Sequence, residues 1–393
     1  MTDASLAFAA DLHNLRELRG LSYRQLAVLA ACSSTQISDL EKGRRRPTRE
    51  MVDALDRALA AHGRLVAALR TPAPDDVEGE IEAIELAQRA AASDVSHGTL
   101  DRLERAADRM AMSYATVAPV DLLPRVRRHL RYVNQLLDGR STLGQHRRLL
   151  VAGGWLALLR ATLHVDLRQR AAAEAHLDTA AELADQAEHA EIAAWCLETQ
   201  AWDALTGGRY RRAVDLSREA QDIAPAGGSA IVQATAQEGR AWARLGDRAA
   251  TRDALRRVES MAAHRSAPEH PEHHYQYDPA KAHSYAATTL AWVGDPGAEQ
   301  VARDVIVELE QEGARPRRIA SARLDLGLAL LAGDKPRPEE AAEEARTAVR
   351  SGRIVPSNWW RVTEVVSGVE ETGAPECRGL REECEAARPR GDA

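Results

Sequence analysis

Glycine turns and tryptophans recur about every 40 residues through the middle of the chain, and this period constrains the fold more than any other feature. Trp155 and Trp195 are 40 residues apart, as are Trp202 and Trp242. Glycine turns are spaced by 38, 48 and 39 residues, at Gly208, Gly246, Gly294 and Gly333. A period of this length is typical of stacked helical hairpins, in which each hairpin buries its apolar face against its neighbours.

The composition favours helices over sheets. Aromatic residues make up only 4% of the chain, which favours an Ala/Leu helical core over an aromatic β-sandwich. Small residues at helical spacing let paired helices approach closely, while a tryptophan fills the wedge between hairpins. Alanines seven residues apart recur ahead of the turns, in the pairs Ala173 and Ala180, Ala213 and Ala220, and Ala341 and Ala348. We therefore predict an all-α protein whose larger part is an α-solenoid of helical hairpins.

Charge is distributed unevenly along the chain. The formal net charge is -7, but residues 1–70 hold 11 Lys/Arg and 8 Asp/Glu, a net charge of +3. This asymmetry indicates a small polyanion-binding head on an acidic body. Residues 71–79 contain two prolines and adjacent acidic residues, which oppose a continuing helix. We predict a polyanion-binding head at residues 1–70, a linker at 71–79 and a helical repeat domain at 80–390.

The head is predicted to form five short helices. Ser22 and Ser33 are good N-cap residues for the second and third of them. In the third helix, Ser34 to Glu41, the apolar residues Ile37 and Leu40 point inward and the short polar side chains face out. This pattern predicts a helix with an exposed polar face.

An exposed row of short polar side chains suits a reader of the DNA major groove, because hydroxyl and amide groups can approach base edges without steric excess. A basic corner follows the helix and is suited to neutralising phosphates. The predicted DNA-binding residues are Arg24, Ser33, Ser34, Thr35, Gln36, Ser38, Lys42, Arg44, Arg45 and Arg46.

Residues 12–66 resemble the Cro/repressor (XRE) helix-turn-helix family. The resemblance rests on Leu15-Arg16-Glu17-Leu18-Arg19-Gly20-Leu21-Ser22, Leu26-Ala27, Ser33 with Ile37-Ser38, and Leu40-Glu41-Lys42-Gly43-Arg44-Arg45-Arg46-Pro47. It implies that the helix from Ser34 is the recognition helix and that the protein binds operators as a homodimer. Two positions depart from the family pattern: Tyr23 replaces the usual Gln, and Asp39 replaces a residue that is often basic.

The clearest repeat resembles the tetratricopeptide repeat in the order of its residues, which are Trp202, Leu205, Gly208, Tyr210, Ala213, Ala220 and Pro225. The whole chain resembles actinobacterial XRE regulators with tetratricopeptide-like C-terminal domains. This resemblance implies a sequence-specific transcriptional regulator of double-stranded DNA, with a repeat domain that dimerises and senses a peptide or small-molecule effector. The alternative is a non-catalytic interaction scaffold whose head docks a protein partner. The short charge-free stretches and the lack of a signal-peptide pattern lead us to expect a cytoplasmic protein.

The 48-residue spacing contains an insert, residues 264–279, that is rich in His and Tyr. A metal site, a ligand-facing or inter-repeat loop, and plain loop packing are all open for it. The lack of nearby Cys and the prolines Pro268 and Pro271 count against zinc. The candidate ligand or inter-repeat residues are His270, His273, His274, Tyr275 and Tyr277.

Other features point away from catalysis and membranes. The sequence lacks a Gly-x-Ser-x-Gly elbow, a phosphate-binding Gly-rich loop, a dinucleotide fingerprint and a His-Glu-x-x-His pair, so we expect no enzyme, catalytic residues, cofactor or bound metal. The longest charge-free stretches run about eleven residues, against about 20 for a bilayer span, so we expect no membrane partner. Arg315, Arg317 and Arg318 favour a solvated basic turn over an anion site.

Overall fold

The computed structural model describes residues 3–68, 86, 89, 91–266, 268–311, 315–332, 335–375 and 379–388. These residues form helices and connecting turns without β-strands, which confirms the all-α prediction. Two compact units divide the chain, residues 1–91 and residues 92–393. The predicted linker, residues 71–79, and Gly333 lie outside the described residues, so the predicted domain boundaries stay a prediction.

The first unit contains the five short helices expected from the sequence. They are α1 (Asp3–Leu18), α2 (Tyr23–Leu29), α3 (Ser34–Glu41), α4 (Arg49–Ala58) and α5 (Arg64–Ala68). Their apolar faces meet in one core, in which Phe8, Leu12, Ile37 and Leu40 are at most 1% exposed. Gly43 follows α3 with φ +65°, a left-handed conformation that a glycine adopts without a Cβ clash.

The second unit is a series of helices joined by short connections. They are α6 (His97–Ser113), α7 (Pro119–Leu137), α8 (Leu143–Asp166), α9 (Arg170–Gln186), α10 (Ala190–Thr206), α11 (Tyr210–Ile223), α12 (Ser229–Arg244), α13 (Arg248–Ala263), α14 (Pro279–Trp292), α15 (Ala298–Gln311), α16 (Pro316–Ala332), α17 (Pro338–Arg350), α18 (Trp359–Glu371) and α19 (Leu380–Ala386). A 3₁₀ helix, Pro356–Asn358, precedes α18.

These helices form two layers. One contact pattern repeats along the chain: an even-numbered helix contacts both of the two helices that follow it. This holds for α8, α10, α12, α14 and α16. The even-numbered helices from α8 to α18 therefore form one continuous layer, and α9, α11, α13, α15 and α17 lie against it. This arrangement confirms the predicted α-solenoid of helical hairpins. All six paired alanines, which lie on α9, α11 and α17, are at most 3% exposed, as close helix packing requires.

The helical array also makes contacts between elements that are remote in sequence. Asp166, at the end of α8, is fully buried and accepts hydrogen bonds from Arg317 Nη2 at 2.7 Å and Ser357 Oγ at 2.8 Å. Arg317 also donates to the backbone oxygen of Tyr114 at 3.2 Å. Since these bonds link α6 and α8 to α16 and the 3₁₀ helix, the beginning and end of the array meet.

The helix α8 is long and apolar enough to cross a membrane by length and composition. In the most apolar part of it, 83% of the residues are buried inside the fold. Gly154 on this helix leaves so little room that an added Cβ would lie 3.2 Å from the Cδ1 atom of Ile192. The apolar composition of α8 is that of a central helix packed on several sides.

Candidate DNA interface and candidate ligand pocket

Two reciprocal capping boxes set the start of α2 and α3. Ser22 Oγ accepts from the Gln25 backbone N at 3.3 Å, while Gln25 Oε1 accepts from Ser22 N at 2.9 Å. Ser33 and Gln36 repeat the arrangement at α3, with distances of 3.1 and 2.9 Å. Because each pair satisfies two backbone N–H groups, both helices begin where the sequence predicts.

The polar face of α3 is accessible. Thr35 is exposed, and Ser34, Gln36 and Ser38 are half-buried, while Ile37 and Leu40 fill the core behind them. The Gln36 side chain has a capping role that the sequence analysis did not assign, because its Oε1 atom closes the capping box at α3. Its Nε2 group is the part of the side chain that remains to contact a base edge. The repeated Ser-x-x-Gln spacing is a signal for this capping role.

The basic corner carries charge that no carboxylate in the described part of the protein neutralises. Lys42, Arg44, Arg45 and Arg46 are all exposed, and none forms an ion pair with a described residue. Arg24 on α2 is likewise exposed. Such cations are free to contact an external polyanion such as the phosphate backbone of DNA.

A buried ion pair fixes α3 against α1. Arg16 is 6% exposed; its Nε donates to Glu41 Oε1 at 2.6 Å and its Nη2 to Glu41 Oε2 at 3.0 Å. Tyr23 donates its hydroxyl to the same carboxylate at 3.0 Å, and its ring lies 4.2 Å from the Arg16 guanidinium carbon. Burial alone would raise the pKa of Glu41, but the bonds from Arg16, His13 and Tyr23 outweigh it and lower that pKa.

This network explains one departure from the family pattern. The Tyr23 hydroxyl bonds to Glu41 inside the unit. Arg16 and Glu41 belong to the helix-turn-helix motif recognised in the sequence, but the sequence alone assigns them no role. Their separation of 25 residues carries no local signal, so only the folded unit reveals the contact.

The second unit contains a half-open cavity of about 200 Å³. Its walls come from the end of α6, from the inner helices α10, α12, α14, α16 and α18, and from the loop between α13 and α14. The aromatic part of the wall consists of Tyr114, Trp195, Trp202, His274 and Tyr285. Buried charged groups lie between these rings, and they include Glu198, Arg240, Asp325 and Arg361.

The charged side chains that line the cavity differ in the partners that they contact. Arg361 Nη1 lies 2.8 and 3.0 Å from the two carboxylate oxygens of Asp325. Glu198 accepts a hydrogen bond from Gln233 Nε2 at 3.1 Å. Arg240, which is 3% exposed, has no carboxylate within 4.0 Å among the described residues, and burial together with the charge of Arg361 lowers its pKa to about 10.

The His/Tyr insert folds inward instead of forming a surface loop. Tyr275 is 4% exposed, packs 5.0 Å from the Trp155 ring and 5.3 Å from the Trp195 ring, and its hydroxyl lies 3.2 Å from Thr162 Oγ1. The ring of His274 lies 4.1 Å from the Tyr114 ring, tilted by 49°, and lines the cavity. His273 and Tyr277 are buried, whereas His270 is exposed. Of the five candidate residues, the structure therefore brings His274 to the cavity.

The insert does not form a metal centre in the part of the chain that the structure describes, where no group of three His, Cys, Asp or Glu side chains has a suitable arrangement. His273 Nε2 instead lies 3.5 Å from Asp108 Oδ1.

The prediction of a solvated basic turn around Pro316 is wrong. The side chains of Arg315, Arg317 and Arg318 are 11%, 15% and 17% exposed. Arg315 and Arg318 pair with Glu272 and Asp278, and Arg317 pairs with Asp166. These arginines hold the insert and α8 to the start of α16, because their acidic partners come from remote segments that a local reading does not reveal.

Comparison with known proteins identifies the first unit. Residues 7–69 match the helix-turn-helix domain family, which confirms the predicted resemblance for this part of the chain. The first unit is therefore a helix-turn-helix domain, and an all-helical second unit follows it in the chain.

Two solved structures match the chain at low identity. Bacillus thuringiensis PlcR, in complex with the peptide PapR7 and DNA, is 13% identical, with 66% of this chain and 95% of that chain covered and a TM-score of 0.25. The apo form of the competence regulator ComR from Streptococcus vestibularis is 12% identical, with 93% and 99% covered and a TM-score of 0.23. No curated protein matches the sequence.

Proposed function

We propose that the protein is a cytoplasmic transcriptional regulator that binds double-stranded DNA in a sequence-specific manner through α3. The observation that carries the proposal is the un-neutralised basic corner, Lys42 and Arg44 to Arg46, directly after a helix with an accessible polar face. Thr35, Ser38 and the Nε2 group of Gln36 would contact base edges, while Arg24, Ser33, Ser34 and the basic corner would contact the phosphate backbone.

The proposed regulator acts as a homodimer and responds to an effector. One helix-turn-helix unit makes too few contacts for strong specificity, and two units must match half-sites about 34 Å apart to bind together. The cavity of the second unit supports an effector, either a peptide or a small molecule. An effector that binds one arrangement of the second unit better than another would shift DNA affinity by that difference.

A gel shift with fragments selected from sheared genomic DNA tests DNA binding. Arg44→Ala and Arg45→Ala should each weaken binding on every fragment and reduce the steepness of the salt dependence by about one released counterion. Ser38→Ala should change the preference among fragments instead. Arg170→Ala removes an exposed arginine of the second unit, which pairs with Glu174, and is the matched control with unchanged binding.

The rival function, a scaffold whose head docks a protein, predicts a different outcome. A missing gel shift, or one insensitive to salt, would favour the scaffold and overturn the proposal. Equal losses on all fragments for Ser38→Ala would remove Ser38 from the set of base-reading residues.

A further inference from the structure

The cavity of the second unit has the size of a site for a small molecule. Its volume is about 200 Å³. An apolar cavity of roughly 150 Å³ holds benzene, so this one has room for one ring or two fused rings with a small substituent.

One cation in the wall lacks the partner that burial normally requires. Arg240 is 3% exposed, and its Nη1 donates to the neutral Gln237 Oε1 at 2.7 Å. Its buried Nε has no hydrogen-bond partner in the described structure. A buried guanidinium without a carboxylate is costly, since its desolvation is not repaid by an opposite charge. An anionic group in the cavity would supply that charge and accept the unused N–H bonds.

The rest of the wall favours a flat apolar group beside this anion. Arg240 lies with its guanidinium carbon 5.3 Å from the Tyr285 ring centroid. Trp195 and Trp202 on α10, Tyr114 and His274 add further aromatic surface to the same cavity. Aromatic faces of this kind pack well against a planar ligand in offset or edge-to-face arrangements.

The remaining charges decide how much negative charge the ligand carries. Arg361 is already paired with Asp325, and Arg318 with Glu272 and Asp278. These acids, together with Glu198, would repel a dianion such as a phosphate monoester. Among the described cations of the wall, Arg240 is the one that forms no ion pair within 4.0 Å, although the charges of Asp325 and Glu198 act on it from a greater distance. The wall therefore suits a ligand with a single negative charge.

We propose that this cavity binds a small aromatic monocarboxylate, whose carboxylate pairs with Arg240 and whose ring packs against Trp195, Trp202 and Tyr285. Only the interpretation of this ligand as the effector rests on the proposed function. Binding of the ligand to the second unit does not require DNA. Binding joins helices from α6 to α18 through one ligand, so it would couple the two ends of the array.

Isothermal titration of the full-length protein with 2-naphthoate and with its neutral isostere 2-naphthamide tests the charge requirement without any mutation. We expect 2-naphthoate to bind at least about tenfold more tightly, since a hydrogen-bonded charge pair is lost with the amide. Inorganic phosphate should bind more weakly than 2-naphthoate. Quenching of tryptophan fluorescence by 2-naphthoate should report the same affinity.

Arg240→Gln tests the residue. The variant should reduce the preference for 2-naphthoate over 2-naphthamide to less than about threefold, and Arg240→Lys should retain part of it. Arg244→Gln, on the same helix but paired with Glu364 and bonded to Tyr210, is the matched control and should keep the wild-type preference. Circular dichroism verifies that each variant is folded.

Equal binding of the acid and the amide, tighter binding of phosphate, no binding at millimolar concentration, or an unchanged preference in folded Arg240→Gln would each overturn the proposal. Gel shifts on the same samples separate the two proposals. Loss of DNA binding with intact carboxylate binding contradicts only the proposed regulator, and intact DNA binding without carboxylate binding contradicts only this inference.

Discussion

At the scale of single residues, the helix-turn-helix motif mixes side chains that face outward with side chains that hold the unit together. Arg16 and Glu41 belong to the second kind, because their bonds of 2.6 and 3.0 Å join α1 to the end of α3. The neighbouring Lys42 and Arg44 are exposed and have no ion pair among the described residues. Adjacent charged positions therefore serve stability and recognition separately.

Removing the Glu41 carboxylate should destabilise the first unit. Glu41→Ala leaves the buried Arg16 guanidinium with the exposed Glu17, 2.8 Å from its Nη1 atom, as its remaining carboxylate partner, and we expect a cost of about 2 kcal/mol in the free energy of unfolding. Native-state hydrogen exchange of the α1 and α3 amides in the full chain measures the loss. Asp11→Ala, which breaks a more exposed pair with Arg64, is the control and should cost less than about 1 kcal/mol. Similar losses for both variants would refute the role of the Arg16–Glu41 pair.

At the scale of helices, one carboxylate connects three successive elements. Glu238 on α12 accepts from Arg218 and Gln221 of α11 at 2.8 and 3.1 Å, and from Arg257 of α13 at 2.6 Å. Burial would raise the pKa of Glu238, but these bonds and one from Trp242 lower it to about 2. The network thus makes the packing of α11, α12 and α13 dependent on an ionised side chain.

This network predicts how the free energy of unfolding of the second unit depends on pH. The pKa of Glu238 is lower in the folded than in the unfolded chain, so its contribution is complete above about pH 4.5 and falls as the pH decreases towards 2. Half-exposed partners limit that contribution to about 2 kcal/mol. Urea unfolding from pH 7 to 2.5 should show a shallower decline for Glu238→Gln than for the wild type. Glu219→Gln, which removes an exposed pair, should follow the wild-type curve, and a wild-type decline in Glu238→Gln would contradict the assignment.

At the scale of the whole second unit, closure of the array distinguishes this fold from an open solenoid. In an open solenoid each repeat contacts only its neighbours. Here Asp166 bonds to Arg317 and Ser357, residues 151 and 191 positions away, and Tyr275 reaches Thr162 across 113 positions. Closure brings residues from both ends of the array, such as Tyr114 and Arg361, to the wall of the cavity, and it should make the unit unfold cooperatively.

Asp166→Asn tests the closure. The variant leaves Arg317 buried beside a neutral amide, so we expect the free energy of unfolding to fall by about 3 kcal/mol. Urea unfolding followed by tryptophan fluorescence, in parallel with circular dichroism, measures this loss and the coincidence of the two transitions. Asp101→Asn removes a more exposed partner of Arg148 and should change stability by less than about 1 kcal/mol. Equal effects would show that the remote contacts contribute little.

The sequence by itself determined the short helices of the first unit and the helical-hairpin repeat of the second. Ser22 and Ser33 cap helices where the sequence predicts a start, and the paired alanines mark the buried faces of α9, α11 and α17. These features depend on residues three to seven positions apart, so a local pattern is enough to recognise them. The polar face of α3 followed from the same periodicity.

Only the tertiary structure decided which charges are paired and which face a ligand. Arg317 looks like a surface residue in the sequence but is bonded to Asp166. Nothing in the sequence around Arg240 sets it apart from other helical arginines, yet it is a buried cation without an ion pair among the described residues. The inward path of Tyr275 was likewise not anticipated. The physical reason is that ion pairing and burial depend on the curvature of the closed array, which brings together residues more than 100 positions apart.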